Sequence, residues 1–588
     1  MQSLKILPHA LLLAGLTLLI GCGGGGGGSA APQPTPQPTP QPTSVIAGTA
    51  AAGSAIVGTV TIKDSSSPSI TKVTTINLDG TYSISVTGMT PPFVIRADGY
   101  VGGQVFSVCS AAVAADINGT VNITPLTDLI VANLAQEIAT NYYTAGNFAG
   151  ISSANLSAQS TALATQLTPV LTALSLSSSV DLLHLSFSAN HTGMDALLDV
   201  LNVTTDPTTK VATIQNIINS MTLTENVATG GAVVSNTLTS TGVAAGVSTF
   251  QDITNRMNAF ATLISTTASP TQAQLDALGL FNDSGFMSDG QNLSTWASNS
   301  LTAAFPGFQF AAMAVTSVPS ATSMWISFSP YYAGAIQGSA TSWLFNYDST
   351  SGHYLAMGDQ IPVNASLMAQ EQYYPTQSST SFLTGVLLSL NDSNNYLGAS
   401  GTAVLSGPGI SPTTYYKTIG LPRLTTNPPY DEPGIWMTDA EIAQCTTNNV
   451  VYTIKLYDSS SNLLDTLTET LPMRPALSTE LSASSFLTVT STSPTPTSLL
   501  GWSGGTVSAT WTVPTTIIPS SEDFWIELNG SSTSEHVQAD SSASASGTSG
   551  SAVFPTSDFN GWTVQHGYWS VGGTDFYQRE FETTIVSF

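Results

Sequence analysis

Charge is what this chain has least of. Only 8% of its 588 residues are Asp, Glu, Lys or Arg, against about 25% in an ordinary soluble domain. The shortage is mostly basic, with 11 Lys and Arg facing 36 Asp and Glu. Nucleic acid is bound through basic stripes, so it is excluded as a partner, and so is electrostatic attachment to anionic lipid. Cysteine is nearly absent as well. Cys22, Cys109 and Cys445 are the full set, with no CxxC and no Cys/His cluster at metal-ligand spacing, which excludes a disulfide framework and a thiolate zinc site. Cys109 and Cys445 lie 336 residues apart; whether they pair is left open by the sequence. Long apolar runs are missing too. The run Ile6 to Ile20 is about 15 residues, short of the ~20 that span a bilayer. What remains is 42% apolar residues, enough for cores, with Ser, Thr, Ala, Gly and Asn on the surfaces. A chain of this length accommodates three to five domains.

The short apolar run, preceded by Lys5, closes on Leu19-Ile20-Gly21-Cys22. A small residue followed at once by cysteine resembles the bacterial lipobox. The resemblance implies that residues 1–21 are a signal peptide and that Cys22 becomes the first mature residue, carrying acyl chains of the palmitate class. One chain holds a membrane weakly and several hold it firmly. Residue 23 is Gly rather than Asp, which by the same resemblance implies the outer membrane. Cleavage would remove Lys5 and leave ten basic side chains. Residues 22–44 read as a tether. Gly23 to Gly28 is six consecutive glycines, and Pro32 to Thr43 repeats Pro-Gln-Pro-Thr three times. Proline at every second position favours polyproline II, and twelve residues at 3.1 Å each reach about 37 Å.

The rest reads as a multidomain, mainly β chain with a helical middle region. Residues 45–123 alternate apolar with small or polar positions, as in Ala55 to Ile62, and suit a small β-sandwich of about seven strands. Thr74 to Val86, with Asp79-Gly80 at its centre, reads as strand, turn, strand. Gly58-Thr59-Val60-Thr61, Leu78-Asp79-Gly80-Thr81-Tyr82-Ser83 and Pro92-Phe93-Val94-Ile95-Arg96-Ala97 resemble the carboxypeptidase-regulatory-like, transthyretin-like module. That resemblance implies a structural module without catalytic residues. Residues 124–309 read as mainly helical. Thr124 is placed to cap, Pro125 suits the first helical position, and Leu126, Leu129, Ile130, Leu134 and Ile138 share one face. A second stripe runs through Leu156, Leu163, Leu167, Val170, Leu171 and Leu174, with Pro169 as a kink, and a third through Ile253, Met257, Phe260 and Ile264. The segment Phe187 to Asp195 with Leu197 to Leu201 resembles one that follows the same module in bacterial lipoproteins. Residues 310–376 read as β-rich, with Ser342 to Asp359 as a hairpin, and residues 377–480 and 481–588 as immunoglobulin- or fibronectin-like sandwiches.

Four groups of residues invite a chemical reading. Gly501-Trp502-Ser503-Gly504-Gly505 fits G-x-S-x-G, but a nucleophile elbow needs a strand before the serine and a helix after it. Here a Pro/Thr-rich stretch precedes and a strand follows, so a turn is expected; His536 and His566 are downstream histidines. His191, Asp195 and Asp199 are spaced i, i+4, i+8, one face of a helix and the donor types of a metal site; the expectation is that the two acids form its solvated side. Asp283 to Gly290 carries acids among glycines but lacks EF-hand spacing and reads as a loop. Trp562, Tyr568 and Trp569 suit either a sugar-stacking platform or a core. No catalytic residue, metal or cofactor is therefore expected, and Cys22 is the one site residue.

The functional expectation is a lipid-anchored cell-envelope protein with a noncatalytic binding, adhesion or structural role, whose partners are the membrane, through its anchor, and a carbohydrate or envelope protein. Its rivals are an extracytoplasmic hydrolase acting on polysaccharide or peptide, and an accessory protein that holds a membrane partner.

Overall fold

The computed structural model describes residues 44–231, 237–332, 335–336, 340–375, 382–417, 423–426, 434–495, 498, 502–517, 523–530, 536–542, 548–555 and 564–586. Cys22 and the tether lie outside the described residues. The chain is multidomain and mainly β, with a helical middle region.

Period-two alternation builds the first module. Along strand Val57–Asp64, Val60 and Ile62 are fully buried while Thr59, Thr61 and Lys63 are half-buried on the other side. Each such aliphatic burial contributes about 1.5–3 kcal/mol. This strand is central in a four-stranded antiparallel sheet with Thr71–Thr75 on one side, and Phe93–Val101 then Gln104–Ala112 on the other. A second sheet pairs Val45–Thr49 with Thr81–Ser85. Ile46, Ile56, Ile84, Phe93 and Ile95 fill the space between the sheets. The module has six strands, where the sequence suggested about seven. The Asp79-Gly80 turn forms, with Asp79 Oδ1 accepting from the Thr81 backbone at 3.0 Å and its hydroxyl at 2.6 Å. The strands it joins, however, belong to different sheets, so the turn is a crossover and not a hairpin.

The middle region opens as its capping signals imply. Thr124 accepts from Thr127 N at 3.1 Å and Pro125 begins helix Pro125–Ala135. Leu126, Leu129 and Ile130 are buried from that helix; Ile138 lies past its end, at the start of helix Ala139–Ala145. Pro169 starts a new helix, Thr168–Ala173, immediately after Ser153–Gln166. It divides two helices because proline lacks the N–H that a continuous ladder would use. The longest helix, Val243–Thr266, buries Ile253, Met257, Phe260 and Ile264 along one stripe. One element departs from the helical reading. Leu201–Thr205, Val211–Asn216 and Thr222–Asn226 form a three-stranded antiparallel sheet. Their threonines and valines are strand formers with stiff χ1 rotamers. Among the described residues no helix is long and apolar enough to cross a membrane.

From Gln309 the chain is β. Gln309–Ser320, Ser323–Tyr332, Thr341–Asp348 and His353–Gly358 form an antiparallel meander, with Asp348 opposite His353 at the expected hairpin turn. Asn364–Tyr373 then pairs with Phe382–Asn391 in ten-residue register; the expected boundary at residues 376–377 falls between these two partners. Thr402–Gly407, Ile410–Lys417, Asn448–Tyr457 and Leu463–Met473 belong to the sheet that packs on this one.

The chain's last strand returns. Glu580–Val586 runs parallel to Asn364–Tyr373, with Gln370 opposite Glu580 and Tyr373 opposite Thr583. Through it the C-terminal strands Val564–Thr574, Asp523–Gly530 and His536–Ser542 extend the same sheet to seven strands. An edge that would otherwise present unpaired backbone groups is thereby closed. Thr583 Oγ1 donates to Leu487 O at 2.6 Å and fixes the join.

Candidate metal centre

His191 is set by a tight turn. Asn190 Oδ1 accepts from Thr192 N and Oγ1 at 3.2 and 2.7 Å, and His191 sits in the left-handed region at φ 62°. Helix Met194–Asp199 begins three residues later. His191 is therefore not on the helix, as the i, i+4, i+8 spacing suggested; the turn brings it back over the helix's two acids. Its backbone N–H donates to Asp195 Oδ2 at 2.6 Å. Its Nδ1 lies 3.0 Å from Asp199 Oδ1 and 3.8 Å from Asp195 Oδ2. One donor atom from each of the three side chains falls within a 4.8 Å span.

The surroundings close over this group. The expected solvated face is overturned: Asp195 is 0% and Asp199 5% exposed, and His191 is buried with them. The cause is tertiary. The long helix covers the site, with Gln251 Nε2 donating to His191 O at 2.6 Å and Phe250 meeting the imidazole edge-to-face at 4.8 Å. From the first sandwich Gly53 presses in, its backbone close to the His191 ring. A Cβ on Gly53 would stand 3.2 Å from Asp199 Oδ1, and the residue's φ is +79°, so glycine serves both the turn and the close approach.

Burial sets the electrostatics. Desolvation pushes Asp199 up to about 7, against the pull of His191, and raises Asp195 as well. Burial lowers His191, but the Asp199 charge and hydrogen bond, Asp195 and the Gly53 backbone outweigh it, and the imidazole titrates above its ordinary value. Asp195 Oδ1 and Asp199 Oδ2 remain buried without a hydrogen-bond partner.

A second acidic group was read from sequence only as a loop. Asp289, in the Asp283 to Gly290 segment, meets Asp359. Its N–H donates to both Asp359 oxygens at 3.1 and 3.2 Å, and Ser288 Oγ donates to Oδ2 at 2.9 Å. Burial pushes Asp289 up to about 7 and Asp359 to about 6. Beside them a cavity of about 70 Å³ is walled by Phe260, Trp296, Phe310, Phe328 and Trp343. The two acids lie 70 residues apart in sequence, a separation at which no spacing rule operates.

The remaining candidates separate. Ser503 is exposed, and strand Gly505–Thr512 follows it rather than a helix; Gly501 lies outside the described residues. Trp502 packs edge-on against Phe554 at 5.7 Å. The side chains of His536, His566, Tyr568 and Trp569, and all of Trp562, lie outside the described residues, as does Cys22. Cys109 is buried, Cys445 is half-buried, and both are free thiols.

No family model and no curated protein matches this chain. Several solved structures are similar to it at low identity. The FN1–FN3 domains of chicken CNTN1 match at 11% identity and a TM-score of 0.13, covering 47% of this chain and 97% of that one. A structure described as showing host cell surface retention of a 1.5-MDa bacterial ice-binding adhesin matches at 13% identity and a TM-score of 0.13, covering 45% and 89%. A tetra-tandem repeat from the extending region of a large adhesion protein matches at 10% identity and a TM-score of 0.12, covering 92% and 97%. At these scores the likeness carries no functional argument.

Proposed function

We propose that this chain is a noncatalytic lipoprotein of the bacterial outer membrane, anchored through acyl chains on Cys22 and holding a β-rich body away from the bilayer for binding, adhesion or envelope structure. The observation that carries this reading is the handover at residue 44. Strand Val45–Thr49 begins two residues after the last Pro-Gln-Pro-Thr repeat, so the repeat sequence leads straight into the first sandwich. The parallel pairing of the last strand with Asn364–Tyr373 ties the distal modules together, which suits a body that bears load or presents a surface.

A groove of about 1170 Å³ supports the binding role. The C-terminal hairpin turn and the first sandwich both line it. Its arginines are each matched by an acid: Arg96 with Asp98 at 2.7 Å, Arg474 with Glu480 at 2.7 Å, and Arg579 with Asp575 at 2.9 Å. With its charge balanced internally, the groove suits a neutral carbohydrate or an envelope protein better than an anion. The hydrolase reading loses support from the exposed turn at Ser503.

Replacing Cys22 by Ser tests the anchor. The variant should lose palmitate labelling and move to the soluble fraction. A variant that still pellets with outer membranes after a high-salt wash would place the anchor elsewhere.

A further inference from the structure

Independently of the anchoring proposal, we infer that His191, Asp195 and Asp199 form a structural binding site for one divalent transition ion of the Zn²⁺ or Mn²⁺ class, seated where the first sandwich, the short helix Met194–Asp199 and the long helix Val243–Thr266 meet. Nδ1 of His191 faces both carboxylates, at 3.0 Å to Asp199 and 3.8 Å to Asp195. Ligands at about 2.0–2.2 Å from a tetrahedral ion stand about 3.4 Å apart, a spacing that the 3.0 and 3.8 Å separations straddle. Donor atoms that lie within 4.8 Å of one another would draw together by at most about 1.4 Å around the ion.

Two further observations point to an ion. The first is that Asp195 Oδ1 and Asp199 Oδ2 are orphaned although their residues are 0% and 5% exposed. Leaving an ionised carboxylate oxygen buried and unpartnered is costly, and an ion removes that cost for both acids together. The second is room for solvent. A cavity of about 70 Å³ adjoins the site, lined by Gly53, Phe106, Asp199 and Asn202 among others, and about 10–15 Å³ holds a water. One nitrogen, two carboxylates and a water suit Zn²⁺ or Mn²⁺; Ca²⁺ asks for six to eight oxygens.

The ion would pin three segments that are distant in sequence, so its removal should loosen the seam between sandwich and helices. The test titrates Zn²⁺ and Mn²⁺, each alone, into detergent-extracted full-length protein stripped with chelator, and follows heat of binding and thermal unfolding. One equivalent should bind and raise the melting temperature by several degrees. Asp199→Asn and His191→Gln should each weaken binding at least tenfold, while His353→Asn, on the exposed face, should leave it unchanged. Co²⁺ in the wild-type protein provides a readout that needs no variant to fold: visible d–d bands saturating at one equivalent, with one histidine shifted paramagnetically. Absence of one-equivalent binding, or binding that both site variants retain, overturns the proposal and leaves a buried ion pair.

Discussion

Two His–Asp clusters stand seven residues apart, and they behave differently. His184 lies between Asp181, at 2.8 Å from Nδ1, and Asp116, at 3.3 Å from Nε2. His191 lies between Asp199 and Asp195. The residue types match, but the solvent does not. The His184, Asp181 and Asp116 side chains are 33%, 54% and 13% exposed, against 9%, 0% and 1% for His191, Asp195 and Asp199. Where water reaches, charge is cheap. The Asp116 carboxylate beside Nε2 and the Asp181 carboxylate that accepts from Nδ1 lift His184 to about 10, and Asp181 falls below its ordinary value. Where water is excluded, desolvation overrides the same attraction and Asp199 rises to about 7. One cluster is a triad at the surface that water still reaches. The other holds carboxylates that want a proton, a cation or an ion.

The sharpest way to break this comparison is to remove each histidine in the presence of chelator. His191→Ala leaves two buried acids without their partner and should cost about 3–5 kcal/mol by urea denaturation. A loss no larger than that from the surface histidine would show that burial is not what separates the clusters.

A next test asks whether desolvation acts alike at a carboxyl that has no histidine. Asp128 is half-buried, and desolvation pushes it up to about 7 from 3.8 although the Cys109 N–H donates to it at 2.8 Å. Between those two values the folded chain keeps a proton that the unfolded chain has released. Its stability therefore falls as pH rises across that window and levels off above it. Asp128→Asn should make the fall shallower by one proton, about 1.4 kcal/mol per pH unit. An unchanged slope in denaturation curves from pH 5 to 7 would contradict the burial argument.

The smallest effect belongs to the surface cluster. His184→Ala should cost only about 0–1 kcal/mol, and that loss should shrink in high salt, where the buried cluster's would persist.

Legibility follows the range of the interactions. The alternation of Val57–Asp64, the Thr124–Pro125 helix start and the stripe of Val243–Thr266 could be read because each depends on neighbours within a few residues. The Asp79-Gly80 turn was legible as a turn but not as a crossover, because partner choice lies with strands elsewhere in the chain. The sheet spanning residues 201–226 was missed between helical stripes. At the candidate centre the three residues were legible as a spacing, while the exposure of the two acids was read the wrong way round. A six-residue helix has no solvated side when Gly53 covers it from one direction and Gln251 with Phe250 from another. Asp289 and Asp359 share no pattern at all.

By itself the sequence determined the local grammar of this protein: the caps, the turns, the alternation, and the mainly β class with a helical middle. Only the tertiary structure decided which acids are buried, which sheet each strand joins, and that the last strand closes on Asn364–Tyr373. Those outcomes depend on desolvation and on long-range backbone pairing, and both are properties of surfaces that exist only once distant segments have met.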